Sequence, residues 1–361
     1  MIKNRNTILI VIMVAVFAFL VSAAFFKPDE EYSQTERRNL KQQPELSVEN
    51  VLSGRFMSNF EEYTLDQFPF RNAFRSLKAI TSLKADNNNL YVYDGSIVSM
   101  EYPLNEASLE RAGERFENVY EMYLKDSDSE IYLAVIPDKN YFYAKDSGHL
   151  MMDYEKLVST VVLDNSYMTY VDIFPLLSKQ DYYLTDTHWK QEKIVDVADA
   201  LLVAMGNRIE PEYKTVQAEG DFYGVYYGQA ALNLKADKIK YLTNDVIKNL
   251  SVYDHENNRE IPVYDLYQMV EADPYELYLG GPISLVTIEN PNAETDEELI
   301  VFRDSFGSSV APLLAQGYKK VTLIDIRYIQ PGVLSNYVDF NNADVLFLYS
   351  TMVLNNSETL K

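Results

Sequence analysis

The chain has 361 residues, 47% hydrophobic and 24% charged, with a formal charge of −22. That is enough apolar sequence for one large core, and so acidic a surface excludes nucleic acid as a partner and repels anionic lipid headgroups. With no cysteine, disulfides and thiolate metal sites are excluded, and an extracytoplasmic body must stand on its core alone.

In chain order, Lys3 and Arg5 precede an uncharged run over 7–26. A helix that long would span the ~30 Å hydrocarbon core of a bilayer, with its basic end in the cytoplasm. Val21-Ser22-Ala23 offers a signal-peptide cut as the rival reading, but the apolar run continues through Phe25 and Phe26 beyond it. Residues 1–27 are therefore expected to be an uncleaved anchor, with everything after them outside the membrane. Beyond Lys27 the chain carries 29 basic against 54 acidic groups, or −25. A neutral or cationic glycan suits such a body better than a polyanion. Residues 28–50, with Pro28 and Pro44, read as an extracytoplasmic tether. Over 51–84, Leu52, Phe56, Phe60 and Tyr63, then Phe70, Phe74, Leu77 and Ile80, fall at helical intervals, and Pro69 splits the stretch into two helices. An alternating pair of strands around Asp94-Gly95 predicts a hairpin over 90–98.

From Asn105 the pattern becomes α/β. A helix to 125 leads into a buried strand over 130–136, and Pro137-Asp138-Lys139 lies at its carboxyl end, where open α/β sheets bind ligands. Lys139 either faces that site or forms a surface salt bridge. A further helix and a strand near 170–172 bring the chain to Thr185-Asp186-Thr187-His188-Trp189. The next helix, 190–205, carries an apolar stripe through Ile194, Val197, Ala198, Leu201 and Leu202, and its start is expected to position His188. Residues 206–296 interrupt the alternation with tyrosine-rich, strand-like pieces at 223–227, 239–242, 250–253 and 261–264. They read as an inserted segment supplying wall and lid. The segment's Gly280-Gly281 pair would let backbone approach a ligand. A strand over 299–303, a helix over 310–316 and strands over 320–324 and 345–349 complete the chain.

Ser305 follows the strand Leu299-Ile300-Val301-Phe302-Arg303 at a strand-to-helix junction, where a nucleophile stands at a sheet rim near free helix N–H groups. A serine needs a base, and of His149, His188 and His255 only His188 has a carboxylate two residues upstream, Asp186, to orient its ring. Asp-Ser and Asp-Thr before helices are also ordinary N-caps, and that reading stays open at both sites. No second histidine or cysteine neighbours His188, so no metal is expected. Trp189, the one tryptophan, either packs beneath this turn or lines the cleft as a sugar platform.

The Asp-Thr-His-Trp segment, followed far downstream by Arg303-Asp304-Ser305-Phe306-Gly307, resembles the DHHW family. These are Gram-positive, SGNH-hydrolase-like proteins related to the alginate O-acetylation factors. Thr35 to Leu40, Phe60 to Arg71, Ile136 to Lys139, Asp221-Phe222-Tyr223-Gly224, Tyr278 to Gly281 and Asp325 to Tyr328 match in the same order. The resemblance implies a three-layer α/β/α sandwich with a mostly parallel sheet over 51–361, and an extracytoplasmic serine O-acetyltransferase or acetylesterase acting on a cell-surface glycan. Ser305 would be the nucleophile, His188 the base and Asp186 its orienting acid. The Ser305 N–H and one near Gly280 or Gly281 would form the oxyanion hole, although Pro282 stands where relatives tend to carry Asn. No cofactor is implied, and the acetyl donor would arrive through a membrane-bound O-acyltransferase. The alternative is an anchored glycan-binding or scaffold protein in which the same residues are idle.

Overall fold

The computed structural model describes residues 27–33, 38–67, 89–230, 234–271 and 273–361, with positions 7, 10–16, 18, 19 and 22. The chain forms two compact units, 1–88 with 228–233, and 89–227 with 234–361. In the first, β1 (Tyr32–Ser33) pairs with β2 (Arg38–Asn39), and α1 (Val48–Leu52) and α2 (Arg55–Gln67) follow. The helix expected after Pro69 lies outside the described residues, as does much of 7–26. Among the described residues no helix is long and apolar enough to cross a membrane.

The second unit opens with the hairpin of β3 (Leu90–Tyr93) and β4 (Ser96–Ser99), turning through left-handed Asp94 and Gly95. Then come α3 (Glu106–Val119), β5 (Ile131–Ile136), α4 (Lys139–Ser147), α5 (Tyr154–Asp164), β6 (Thr169–Tyr170) and α6 (Val195–Ala204). A small pair, β7 (Lys214–Gln217) and β8 (Lys240–Thr243), brackets α7 (Val225–Ala230). The chain continues through α8 (Asp245–Asn249), β9 (Ser251–Asp254), β10 (Arg259–Ile261), β11 (Leu285–Glu289), β12 (Glu298–Arg303), α9 (Gly307–Leu314), β13 (Lys320–Ile324), β14 (Ala343–Ser350) and α10 (Thr351–Asn355).

Eight strands form one sheet in the order β10-β9-β11-β13-β12-β14-β5-β6. The β13-β12-β14-β5-β6 run is parallel, and β11, β9 and β10 extend it antiparallel. Because strand side chains alternate, Leu299 and Val301 of β12 face one core with Val310 and Leu313 of α9 and Val197 and Leu201 of α6. Ile300 and Phe302 face the other, with Leu109 and Phe116 of α3 and Leu157 of α5. Burial on both faces explains the unbroken apolar runs of β5, β12 and β14.

Two expectations for 206–296 are corrected. The piece at 223–227 runs into the helix α7, the one near 250–253 is β9 of the central sheet, and of 261–264 only Ile261 lies in a strand, β10 at the sheet's edge. The link between them and the parallel strands is β11, whose Leu285-Val286-Thr287-Ile288 core was not assigned from sequence. Antiparallel neighbours need no crossover helix, so the α/β alternation vanishes here although the sheet continues. The parallel strands β13, β12, β14 and β5 all end at one edge, and Asp325, Ser305, Thr351 and Asp138 follow them there.

Candidate active site

Ser305 sits two residues beyond β12 and is half-buried. Asp304 fixes its turn: one carboxylate oxygen accepts the Phe306 N–H at 3.0 Å, and the other accepts the Ser350 N–H at the end of β14 at 2.8 Å. The helix α9 begins at Gly307 with no side-chain cap, so the hydroxyl of Ser305 is not spent on capping. It donates to His188 Nε2 at 2.7 Å. Gly307 is required for packing, because a Cβ there would lie 2.7 Å from Cβ of the buried Arg303.

His188 is presented by a tight loop, not by the start of a helix as expected. Tyr182 and Trp189 pair as an isolated antiparallel bridge, and the Tyr183 N–H donates to the His188 carbonyl at 3.1 Å. The helix α6 does not start until Val195. The buried Gln191 holds the intervening backbone by accepting the Leu242 N–H and donating to the Ser309 carbonyl, both at 2.7 Å.

Asp186 Oδ2 accepts His188 Nδ1–H at 2.6 Å and the His188 backbone N–H at 3.1 Å, while Oδ1 accepts the Val225 N–H at 2.8 Å. Burial alone would push this carboxyl up. The charge of His188 and these donors outweigh it and hold Asp186 at about 2. With Nδ1–H committed to Asp186, the hydrogen-bond network assigns the Nε2 lone pair to the Ser305 hydroxyl.

Several residues that sequence reasoning did not assign a role complete the site. The ring of Tyr275 lies on the His188 imidazole, 3.8 Å between centroids and 6° from parallel. Its hydroxyl donates to Ser309 Oγ at 2.9 Å, and the same oxygen accepts Trp189 Nε1–H at 2.8 Å. Gly224 presses on Asp186 so closely that a Cβ there would fall 2.2 Å from Asp186 Cβ. Asp237 accepts the N–H groups of Leu184 at 2.8 Å and Thr185 at 2.7 Å. Only Gly224 left a signal, inside the Asp-Phe-Tyr-Gly segment; Tyr275 is one of 29 tyrosines and nothing in its neighbours marks it.

The remaining expected site residues fall differently. Trp189 is fully buried and edge-on to Phe306, so it packs under the loop and offers no platform to a sugar. Lys139 is also buried and neither faces the cleft nor forms a surface salt bridge. Its ammonium donates to the carbonyls of Ile97, Tyr183, Leu184 and Asp186 at 2.5 to 3.2 Å. Gly280 and Gly281 both adopt left-handed backbone, φ 74° and 86°. The Gly281 N–H is taken by the Tyr278 carbonyl at 3.3 Å, which removes it as an oxyanion donor. Among the described residues no hydrogen bond claims the N–H of Ser305 or of Gly280. The other histidines serve elsewhere: His149 stacks on Tyr91, and His255 bonds Thr287 Oγ1. Among the described residues no cluster of three or more His, Cys, Asp or Glu could hold a metal.

No protein-family model and no curated protein matches the chain. Solved structures do. A DHHW family protein from Eubacterium siraeum is 20% identical over 75% of this chain and 93% of its own, with a TM-score of 0.59. Bacillus cereus PatB1, solved with a sulfonyl adduct, is 18% identical over 73% of this chain and 97% of its own, with a TM-score of 0.58. At these identities what is shared is the fold. The O-acetyltransferase domain of Pseudomonas putida AlgJ overlaps more loosely, with 14% identity over 74% of this chain and 92% of its own and a TM-score of 0.44.

Proposed function

We propose that this chain is a serine acyl-transfer enzyme, an O-acetyltransferase or acetylesterase acting outside the cytoplasm on a cell-surface glycan. The observation that carries the reading is the continuous line Asp186 Oδ2, His188 Nδ1, His188 Nε2, Ser305 Oγ, with links of 2.6 and 2.7 Å at the carboxyl edge of a mostly parallel sheet.

In the first half-reaction Ser305 Oγ attacks the acetyl carbonyl carbon as its proton passes to His188 Nε2, and the carbonyl electron pair moves onto oxygen. The Ser305 N–H, free of any other hydrogen bond among the described residues, would donate to that oxyanion, an interaction worth about 3 kcal/mol in other enzymes. Collapse breaks the bond to the donor alcohol, which leaves with the proton from His188, and the acetyl group stays on Ser305. In the second half an acceptor hydroxyl gives its proton to Nε2 and attacks the acyl-serine, and Ser305 regains a proton. A glycan hydroxyl gives transfer; water gives hydrolysis. Asp186, ionised at neutral pH, keeps the imidazole in the productive tautomer and balances its charge once protonated.

The acidic body favours a neutral or cationic glycan. The family resemblance adds a membrane-bound O-acyltransferase that delivers acetyl groups, and the uncharged run over 7–26 behind Lys3 and Arg5 adds an anchor over residues 1–27. Turnover of 4-nitrophenyl acetate and covalent labelling by an aryl sulfonyl fluoride, both lost in Ser305→Ala, test the reading. A folded wild-type chain that shows neither would leave the glycan-binding scaffold as the better account.

A further inference from the structure

The loop that carries Asp186 and His188 is gripped from two sides by buried opposite charges. On one side the Lys139 ammonium donates to the carbonyls of Tyr183, Leu184 and Asp186 at 2.8, 3.2 and 3.1 Å, and to the Ile97 carbonyl of β4 at 2.5 Å. On the other, the Asp237 carboxylate receives the N–H groups of Leu184 at 2.8 Å and Thr185 at 2.7 Å, and the Thr185 hydroxyl at 2.7 Å. Both side chains are under a tenth exposed. The hairpin closes the grip, since the Ile97 N–H donates to the Leu184 carbonyl at 2.8 Å.

A cation that binds only carbonyls and an anion that binds mainly amides leave the loop one arrangement that satisfies both. Shifting the loop would strand buried polar groups, which is costly in a low-dielectric interior. Lys139 also stands 5.7 Å over the Tyr226 ring. Burial pushes its ammonium down to about 7, opposed by the charges of Asp237 and Asp186 and helped by Lys190.

We propose that Lys139 and Asp237 are positioning residues that set the Asp186–His188 pair against Ser305. The proposal rests on the acyl-transfer reading for its kinetic test but has a second readout that does not. Neither residue touches the reacting atoms, so their loss should lower kcat and leave KM nearly unchanged.

The experiment compares wild type with Lys139→Met and Asp237→Asn, using 4-nitrophenyl acetate kinetics and the low-field proton resonance of the short His188–Asp186 hydrogen bond. Thermal melting and Trp189 emission report the fold. The expected result is a folded variant with kcat down about 10²-fold, KM within about twofold, and a shifted or broadened resonance. A folded Lys139→Met with kcat within about threefold of wild type and an unchanged resonance overturns the proposal. If Lys139→Met does not fold, Asp237→Asn decides on the same two readouts. If wild type shows no turnover, the acyl-transfer reading fails instead, and the resonance alone judges the grip: unchanged in both variants, it overturns the proposal.

Discussion

Tyr275 lies flat on His188, its ring centroid 3.8 Å from the imidazole and its hydroxyl tied to Ser309, which also holds Trp189. An aromatic face attracts a cation, so under the proposed acyl transfer the stack would favour the imidazolium formed when His188 takes the serine proton. The ring and the hydroxyl have separable jobs. Tyr275→Phe keeps the stack and loses one buried hydrogen bond, so it should cost about 1 kcal/mol of stability and little kcat. Tyr275→Leu removes the face and should lower kcat about tenfold, the equivalent of about 1.4 kcal/mol. Equal kcat in the two variants would deny the stack any catalytic part.

Asp186 supplies a prediction with a definite sign. Its carboxyl is held at about 2 against an ordinary 3.8, because the charge and hydrogen bonds of His188 outweigh the cost of burial. A depressed carboxyl stabilises the fold above its unfolded value and loses that contribution as pH falls through the folded one. The contribution is about 2 kcal/mol at neutral pH, fading below about pH 4 and gone below about pH 2. Melting curves of wild type and Asp186→Asn should therefore lie well apart at neutral pH and converge in acid. The same substitution reverses the tautomer preference at Nδ1 and should lower kcat by about 10⁴. A gap in melting temperature that persists unchanged at low pH would contradict the assignment.

Gly224 should tolerate no side chain. A methyl added there would sit 2.2 Å from Asp186 Cβ, so alanine must move either the Asp186 loop or the start of α7, whose Val225 N–H binds Asp186. Gly224→Ala should lose about 10²-fold in kcat and about 1 to 3 kcal/mol in stability. Gly332→Ala is the control, because nothing lies within 4 Å of its added methyl. If Gly224→Ala behaves like the control, the close approach does not matter to the site.

The residues that meet in the candidate triad were legible in the sequence, and those packed around them were not. Ser305, His188 and Asp186 announce themselves because each is a polar group at the end of an apolar run or beside another titratable one. The parallel strands are equally plain, since burial on both faces leaves unbroken runs such as Ile131–Ile136. Lys139, Asp237 and Tyr275 meet their partners between 34 and 87 residues away, so nothing in their local sequence marks them. A lysine after a strand reads as a surface charge unless one knows that four carbonyls converge on it. The antiparallel edge of β11, β9 and β10 was hidden for a related reason: pairing without crossovers leaves no α/β rhythm to read.

Trp189 gives a test that needs no label, being the one tryptophan in the chain. It is fully buried, edge-on to Phe306, and its indole N–H is shared between Ser309 Oγ at 2.8 Å and the Phe306 carbonyl at 3.2 Å. Both partners lie beyond Ser305 in sequence, so the indole ties the His188 loop to the first turn of α9, across the point where nucleophile and base meet. Its emission should be blue-shifted, shielded from acrylamide and indifferent to added oligosaccharide. Trp189→Phe keeps most of the apolar volume and loses the indole hydrogen bonds, while Ser309 keeps Tyr275 and the Phe306 carbonyl keeps Ser309, so it should cost about 1 kcal/mol, whereas Trp189→Ala adds a cavity and should cost about 3 to 5 kcal/mol. In both variants kcat should fall while labelling of Ser305 by a sulfonyl fluoride slows in proportion, because the serine loses its aligned base. Emission quenched by an oligosaccharide, with stability intact in Trp189→Ala, would instead place the indole on the substrate side of the loop.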